Sequence, residues 1–274
     1  MIARALRKGW AFFLRDLRSE TRYRAAFLVK VGTLLSSLAS VWLLGRYVDS
    51  LAPQPPGGER WGASYFAFAV VGVALADTMT VALQGFARSL RTAMVLGQLE
   101  AMLATPTHPA GIVAGSALYS FAFAGVRIAA TLALGVALDP SSFAGAHWLA
   151  ALGLVVLTAL AAAAIGFVGA AVTLVFKRGE SFTALAGALS VLLGGVLYPV
   201  SSLPAWLHPL AEALPLTHGL RAARAALLGR GAGEPVEAGF VWLGLMCAVA
   251  WPLAALALRA ALRHVRQEGS LAVF

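Results

Sequence analysis

The sequence predicts an all-α integral membrane protein with six transmembrane helices. Of its 274 residues, 60% are hydrophobic and only 12% are charged, whereas about a quarter of the residues in a soluble domain are charged. The mean hydropathy of +0.81 is correspondingly high. A helix needs about 20 predominantly apolar residues to cross a membrane. Runs near or above that length lie at residues 27–48, 63–86, 110–137, 148–176, 181–199 and 239–258.

Residues 1–24 precede these runs and are predicted to form an interfacial amphipathic helix, followed by a six-helix membrane domain over residues 25–274. Apolar side chains in this first part recur at helical spacing, and on a helix they fall within an arc of about 80°. They are Ile2, Leu6, Trp10, Phe13 and Leu17. Six basic residues fall on the opposite side. A helix of this kind lies in the membrane interface with its arginines toward anionic lipid headgroups.

The positive charges predict how the six helices are oriented. With the N-terminus inside, fifteen of the 21 lysines and arginines lie on the inner side, five lie in outer loops, and Arg127 lies within a helix. This bias follows the positive-inside rule, so both termini are expected to be cytoplasmic. The same distribution accounts for the net charge of +9 without a nucleic-acid partner.

The inner loop between Arg88 and Pro109 carries leucines and methionines at helical spacing and ends at a proline-rich stop. We predict an amphipathic cytoplasmic helix here, suited to docking a soluble partner. The alternative is a helix that only lies on the membrane surface. In the fourth run, Ala162, Gly166 and Ala170 share one side, which predicts the close approach of another helix.

The chain between the fifth and sixth runs is interrupted by four prolines, at Pro199, Pro204, Pro209 and Pro215. We call residues 199–229 the proline segment. Proline removes a backbone donor and clashes with the preceding helical turn, so one straight helix cannot pass through all four positions. In hydrocarbon, such a broken backbone is tolerated only where protein or a water-filled cavity covers it. The sequence therefore predicts short helices that are shielded from lipid.

The caps of these short helices are also predicted. Ser202 is expected to cap a first helix, Pro209 to begin a short turn, and Thr217 to cap a helix that ends before Gly229. In this last helix Leu220 and Leu227 are placed on one face. Arg221 and Arg224 are placed on another.

Two ionisable residues interrupt otherwise apolar runs, Asp77 in the second and Arg127 in the third. A charge in mid-membrane costs at least about 2.5–3.5 kcal/mol, so each is expected to face protein or water. Both are candidates for a transport pathway, with a structural role as the alternative. Counted within the apolar runs, their depths differ by on the order of 10 Å, so a direct salt bridge is not expected.

The sequence contains no recognisable catalytic or nucleotide-binding motif. None of its three lysines lies in the Gly-x-x-x-x-Gly-Lys-Ser/Thr pattern of a P-loop. The five histidines are spread along the chain without the spacing of metal ligands. These observations disfavour an intramembrane enzyme and predict neither a cofactor nor a metal in this chain.

Two stretches together resemble the permeases of type-2 ABC transporters. The first is the cytoplasmic segment Gly97-Gln98-Leu99-Glu100-Ala101-Met102-Leu103-Ala104-Thr105-Pro106. It is similar to the family pattern Gly-Thr-Leu-Glu-x-Leu-Leu-x-Thr-Pro and departs from it at Gln98, where Thr or Ser is commoner. The second lies before the last helix and contains Pro199, Leu203, Pro204, Trp206, Pro215, Leu216, Thr217, His218 and Arg224.

The resemblance implies the membrane subunit of an ATP-driven exporter in the bacterial cytoplasmic membrane. It implies a second permease copy and two separate ATP-binding subunits, which would hold ATP and Mg²⁺. It also implies that the proline segment re-enters the outer leaflet as two short helices that close the outer side. The helix that couples to the ATPase would contain Gly97, Gln98, Leu99, Glu100, Met102 and Leu103.

The expected cargo is amphiphilic: a lipid-linked glycan, a polysaccharide, a lipid or a hydrophobic drug. The alternative is a single-chain, ion-coupled secondary transporter that uses Asp77 and Arg127.

Overall fold

The computed structural model describes residues 24–51, 64–95, 109–176, 179–229 and 235–268. These residues form eight α-helices and three short 3-10 helices, and none of the described residues lies in a strand. The α-helices are α1 (Arg24–Leu51), α2 (Tyr65–Val95), α3 (Pro109–Leu138), α4 (Trp148–Phe176), α5 (Gly179–Leu193), α6 (His208–Glu212), α7 (Pro215–Leu228) and α8 (Val236–Glu268). The predicted interfacial helix within residues 1–24 and the predicted coupling residues 97–103 lie outside the described residues, apart from Arg24 at the start of α1.

Five of these helices, α1, α2, α3, α4 and α8, are long and apolar enough to cross a membrane. The fifth predicted run is shorter than expected, because α5 has 15 residues and ends at Leu193. Gly195 follows with a φ of 78°, a left-handed conformation that glycine adopts at little cost and that a helix cannot contain. The described part of the chain therefore contains five candidate spans where the sequence predicted six, and a sixth crossing stays a prediction.

Helices α2 and α4 form the centre of the bundle. The interior of α2 presents Leu75, Met79 and Leu83, which are fully buried with Leu154 of α4 and Leu220 of α7. Burying a leucine or methionine side chain stabilises a fold by roughly 1.5–3 kcal/mol in water, but in lipid the gain comes from close packing between helices. Packing contacts around α2 and α4 therefore hold the bundle together.

The small residues predicted to allow close packing on α4 do so. Ala162 and Ala170 are fully buried. A Cβ atom added at Gly166 would overlap the carbonyl oxygen of Ala82 and lie 3.1 Å from the ring of Phe86. The backbone of α4 therefore approaches the backbone of α2 as the stripe of small side chains predicted.

Candidate functional site

The proline segment folds as a series of short helices, which end in the buried helix α7. A 3-10 helix at Val200–Ser202 is followed by a second at Ala205–Leu207, then by α6 and α7. Eleven of the 14 residues of α7 are buried, and α7 packs against α2, α4 and α8. The part of the segment that forms α7 is thus covered by protein, as the sequence predicted.

The start of α7 differs from the prediction. Thr217 is not its N-cap, because the helix already begins at Pro215, after Leu214 in an extended conformation. Proline suits the first helical position, since its fixed φ is helical and its missing donor is not needed there. The Thr217 hydroxyl instead donates to the carbonyl of Ala211 at 2.6 Å and so links α7 to α6. The predicted end is confirmed, with Gly229 at a φ of 93°.

The first half of the segment lies at the surface. Ser202 does not cap a helix as predicted, because its hydroxyl donates backward to the carbonyl of Pro199 at 2.7 Å. Leu203 is half-buried and Pro204 is exposed, while the side chain of Trp206 is 72% exposed. The residues of the predicted motif therefore divide into an exposed group before α6 and a buried group in α7. The buried group consists of Pro215, Leu216, Thr217, His218 and Arg224.

Arg224 joins the broken backbone to the bundle. Its Nη1 donates to the carbonyl of Gly195 at 2.8 Å, and its Nη2 donates to the carbonyl of Val196 at 2.7 Å. Its Nε and Nη2 also donate to the carbonyl of Phe68 on α2, at 3.3 and 3.2 Å. The guanidinium also lies over the ring of Phe68, an attractive cation–π arrangement. One side chain thus satisfies three carbonyls near the point where α5 ends.

The burial of Arg224 corrects the predicted division of α7 into an apolar and a basic face. Arg224 is only 3% exposed, whereas the Arg221 side chain is 24% exposed and forms a salt bridge with Glu212 at 2.5 Å. At 100° per residue, Arg224 lies roughly 40° from the buried Leu220. It therefore faces the core, where backbone carbonyls that lack helical partners need a donor.

Gly72 on α2 provides the space for this arrangement. A Cβ atom at Gly72 would overlap the carbonyl oxygen of Val196 and lie 2.8 Å from Nη2 of Arg224. We expect Gly72→Ala to lower the free energy of unfolding by about 1–3 kcal/mol, as overpacking does elsewhere. Thermal melting of the purified protein in detergent measures the change.

The matched control is Gly125→Ala on α3, where an added Cβ would meet nothing within 4 Å. Alanine is favoured over glycine inside a helix by about 0.8–1 kcal/mol, so this variant should melt at or above the wild-type temperature. Equal melting temperatures for the two variants would show that Gly72 leaves more room than its surroundings indicate.

His218 and Arg221 fasten α7 to α6. The His218 Nε2 lies 2.9 Å from the carbonyl oxygen of Glu212, and its ring stacks on Trp242 of α8 with centroids 5.5 Å apart. Arg221 donates to both carboxylate oxygens of Glu212, at 2.5 and 3.1 Å. Sequence reasoning included His218 and Arg221 but missed Glu212, since nothing in its local sequence indicates that α6 folds back onto α7.

Asp77 and Arg127 form a salt bridge, which corrects the expectation that their depths differ. Nη2 of Arg127 lies 2.5 Å from Oδ2 of Asp77. The expectation was wrong because α2 continues well past the apolar run, to Val95. The start of α2 lies beside the end of α3, where Ser64 donates a hydrogen bond to Asp139. Counted from these two ends, Asp77 is twelve residues from Tyr65 and Arg127 is eleven from Leu138. Residues at equal distances from that end lie at equal depth.

A polar cluster that the sequence analysis missed marks this same end of the bundle. Asp139 accepts hydrogen bonds from the hydroxyls of Ser64, Ser141 and Ser142 at 2.5–2.7 Å. Burial alone would raise the pKa of Asp139, but the hydrogen bonds from Ser142, Ser64 and Ser141 outweigh it and leave the pKa below its ordinary value. The Ser64 hydroxyl also accepts the N–H of Ala67 at 3.1 Å. Serine at the start of an apolar run is an N-cap signal that could have located it.

Taken together, the described residues contain a buried connection at Arg224 and a half-exposed charge pair, and no group of metal-ligating side chains among them. Residues 59–228 match the sequence profile of the ABC-2 type transporter family, which is more than half of the chain. The chain belongs to this family.

Its membership in the family agrees with the all-helical fold and its several apolar helices. The chain is also similar to Nodulation protein J of Rhizobium leguminosarum bv. viciae. The two sequences are 28% identical over 200 residues, which cover 69% of this chain and 71% of that protein. The matched family region extends from before α2 to the end of α7, so it includes the Asp77–Arg127 pair, the predicted coupling residues and the whole contact network of Arg224. The chain is an ABC transporter permease.

Proposed function

We propose that this permease moves an amphiphilic substrate outward across the bacterial cytoplasmic membrane in an ATP-driven exporter. The substrate would be a lipid-linked glycan, a polysaccharide, a lipid or a hydrophobic drug. The family match across residues 59–228 carries this proposal.

The energy source in this proposal is a separate subunit. The sequence has no P-loop, so two copies of an ATP-binding subunit would hold ATP and Mg²⁺. They would bind the predicted coupling helix, and a second permease copy would complete the pathway. Both termini would lie in the cytoplasm, on the side where lysine and arginine predominate.

The proline segment would close the outer side of the pathway. Helix α5 and the residues that follow it would form the sixth crossing, and α6 and α7 would re-enter the outer leaflet. Two observations support this role: α7 is enclosed by α2, α4 and α8, and Arg224 binds the carbonyls of Gly195 and Val196 at the end of α5. A movement of α5 would therefore be transmitted directly to α7.

The ion-coupled alternative is less well supported. Asp77 is paired with Arg127 at 2.5 Å, so a structural role already accounts for both charged side chains. Family membership also favours an ATP-driven mechanism.

The proposed function is tested with the permease and a candidate ATP-binding subunit, reconstituted together in vesicles. Translocation of a fluorescently labelled lipid between leaflets is followed by dithionite quenching. We expect transport that requires ATP and is lost when the P-loop lysine of the ATPase is replaced. Transport by the permease alone, driven by a proton gradient and lost in Asp77→Asn, would instead establish the ion-coupled alternative.

A further inference from the structure

Helix α2 is almost entirely buried, and the narrow strip that remains open carries four polar side chains. Between residues 65 and 87 of this helix, all but five side chains are buried; the five are Val73, Asp77, Thr80, Val81 and Gln84. Apart from Val81, these residues and the exposed Arg88 fall within an arc of roughly 80° on the helix. We call Asp77, Thr80, Gln84 and Arg88 the polar stripe.

The other open surfaces of the bundle have the opposite character. The exposed side chains in the middle of α8 include Leu245, Val249, Leu253 and Leu256, and those of α4 are similarly apolar. Such faces suit contact with lipid tails, where an unpaired polar group costs several kcal/mol. A polar strip on the most buried of the candidate spans is therefore not a lipid-facing surface. It faces water, a partner or a polar ligand.

The polar stripe extends along about half of the membrane. Asp77 and Arg88 are eleven residues apart, or about 16 Å along the helix, against a hydrocarbon thickness of about 30 Å. The stripe begins at the mid-depth salt bridge and continues toward the end of α2 that the charge distribution predicts to be cytoplasmic. Near that end, Gln84 accepts a hydrogen bond from Arg88 at 2.9 Å, which connects the last two residues of the stripe.

A groove between α2 and α5 runs beside the stripe. It has a volume of about 520 Å³, within the range of ligand pockets. Thr80 and Gln84 line one wall, and Gly187, Val191 and Leu192 of α5 are among the residues of the other. A Cβ atom at Gly187 would lie 3.7 Å from the Gln84 amide nitrogen, an ordinary contact distance, so α5 lies directly beside this wall. One wall is thus polar and the other apolar, which suits an amphiphile.

The charge of this region favours an acidic ligand. On the stripe and its partner α3, among the described residues, Arg88 and Arg127 contribute two positive charges against the negative charge of Asp77. Asp77 engages only part of the Arg127 guanidinium, and among the described residues no acceptor reaches the buried Nε atom of Arg127. A buried donor without a partner is costly and is normally satisfied by an acceptor. Guanidinium groups bind phosphate and carboxylate oxygens through paired hydrogen bonds.

We propose that the polar stripe and the adjoining groove bind the acidic headgroup of the transported amphiphile, whose apolar chain lies against α5. This inference rests on the proposed function and narrows its substrate to amphiphiles with an anionic headgroup. The headgroup enters near Arg88 and moves along Gln84 and Thr80 to Arg127. There it competes with Asp77 for the guanidinium.

The test measures lipid binding to the purified full-length permease by native mass spectrometry. Phosphatidylglycerol and phosphatidylcholine with matched acyl chains are compared, and the ratio of their affinities is the readout. The wild type should prefer phosphatidylglycerol. Asp77→Asn should increase the preference, because it removes the competing carboxylate. Asp77→Asn combined with Arg127→Gln should reduce it roughly tenfold, the effect of losing one charge-assisted hydrogen bond.

A second variant keeps the salt bridge intact. Thr80→Val combined with Gln84→Leu makes the polar wall of the groove apolar and should also lower the preference. Arg259→Gln, at an exposed position on α8, is the matched charge control and should leave the ratio unchanged. An equal loss in this control would identify general attraction of lipids to basic residues and overturn the proposal.

Two other results would also overturn it. One is a wild-type affinity ratio near one. The other is a ratio that stays constant in both double variants while their melting temperature or dimer content falls, which would assign the stripe to folding or to the contact with a second copy. Because binding is measured without the ATPase, ATP-dependent transport by a protein with no headgroup preference would leave the proposed function standing.

Discussion

Replacing Arg224 with methionine is expected to destabilise the permease strongly and to abolish transport. The guanidinium is the donor to the carbonyls of Phe68, Gly195 and Val196, and methionine would fill part of its volume without donating. We expect a loss of roughly 3–5 kcal/mol, because each buried polar group left unsatisfied costs about 1–3 kcal/mol and such costs are not fully additive. Fluorescence-detected size-exclusion chromatography after heating measures the fall in melting temperature.

Arg221→Met is the matched control on the same helix. Arg221 is partly exposed and paired with Glu212, and ion pairs exposed to solvent contribute only about 0–1 kcal/mol. It should therefore melt close to the wild type. Arg224→Lys should fall between the two, since an ammonium keeps the charge but cannot reach three carbonyls with the fixed fork of a guanidinium. If Arg224→Met melts like the wild type, the contacts of Arg224 do not hold α7 in place.

The second large effect is expected from Glu100→Arg in the predicted coupling helix. Glu100 lies outside the described residues, and its role is inferred from its place in the family motif. Reversing its charge at the contact with the ATPase should abolish ATP-dependent transport and the stimulation of ATP hydrolysis. An ATPase surface that accommodates a carboxylate would then face a positive charge, and like charges across an interface cost several kcal/mol. Insertion and melting of the permease should remain unchanged. Both activities are measured in the reconstituted complex.

Asp49→Arg controls for the reversal of one charge. Asp49 is exposed near the end of α1, which is predicted to be on the opposite side of the membrane from the ATPase. This variant should transport normally. Normal coupled transport by Glu100→Arg would contradict the assignment of residues 97–103 to the coupling helix. It would not affect the membership of the chain in the family.

Much of the helical plan could be predicted from the sequence. The fourth run was predicted at 148–176, and α4 has these bounds; the runs at 110–137 and 239–258 lie within α3 and α8. These helices were predictable because the length of an apolar run can be read from the local sequence, and the thickness of the membrane sets the length that a spanning helix needs. The fifth run was predicted too long, since hydropathy does not register that Gly195 takes a positive φ.

The candidate site was predicted less completely. The family motif identified Arg224 and His218 as important, but their surroundings were not predictable, because Phe68, Gly72 and Trp242 are far away in the sequence. The same holds for the polar stripe. Thr80 and Gln84 do not stand out within an apolar run of the sequence. They can be recognised as an open polar surface only because the structure shows that most of α2 is buried.

The sequence by itself determined the membrane class, the family and the place where the chain must break, because hydropathy, charge and proline act over a few residues. Only the tertiary structure decided that Arg224 turns inward and that Asp77 meets Arg127. Both outcomes depend on which carbonyls and charges reach the same depth after packing. A buried polar group must find its partner in space, and distance along the chain carries no record of that partner.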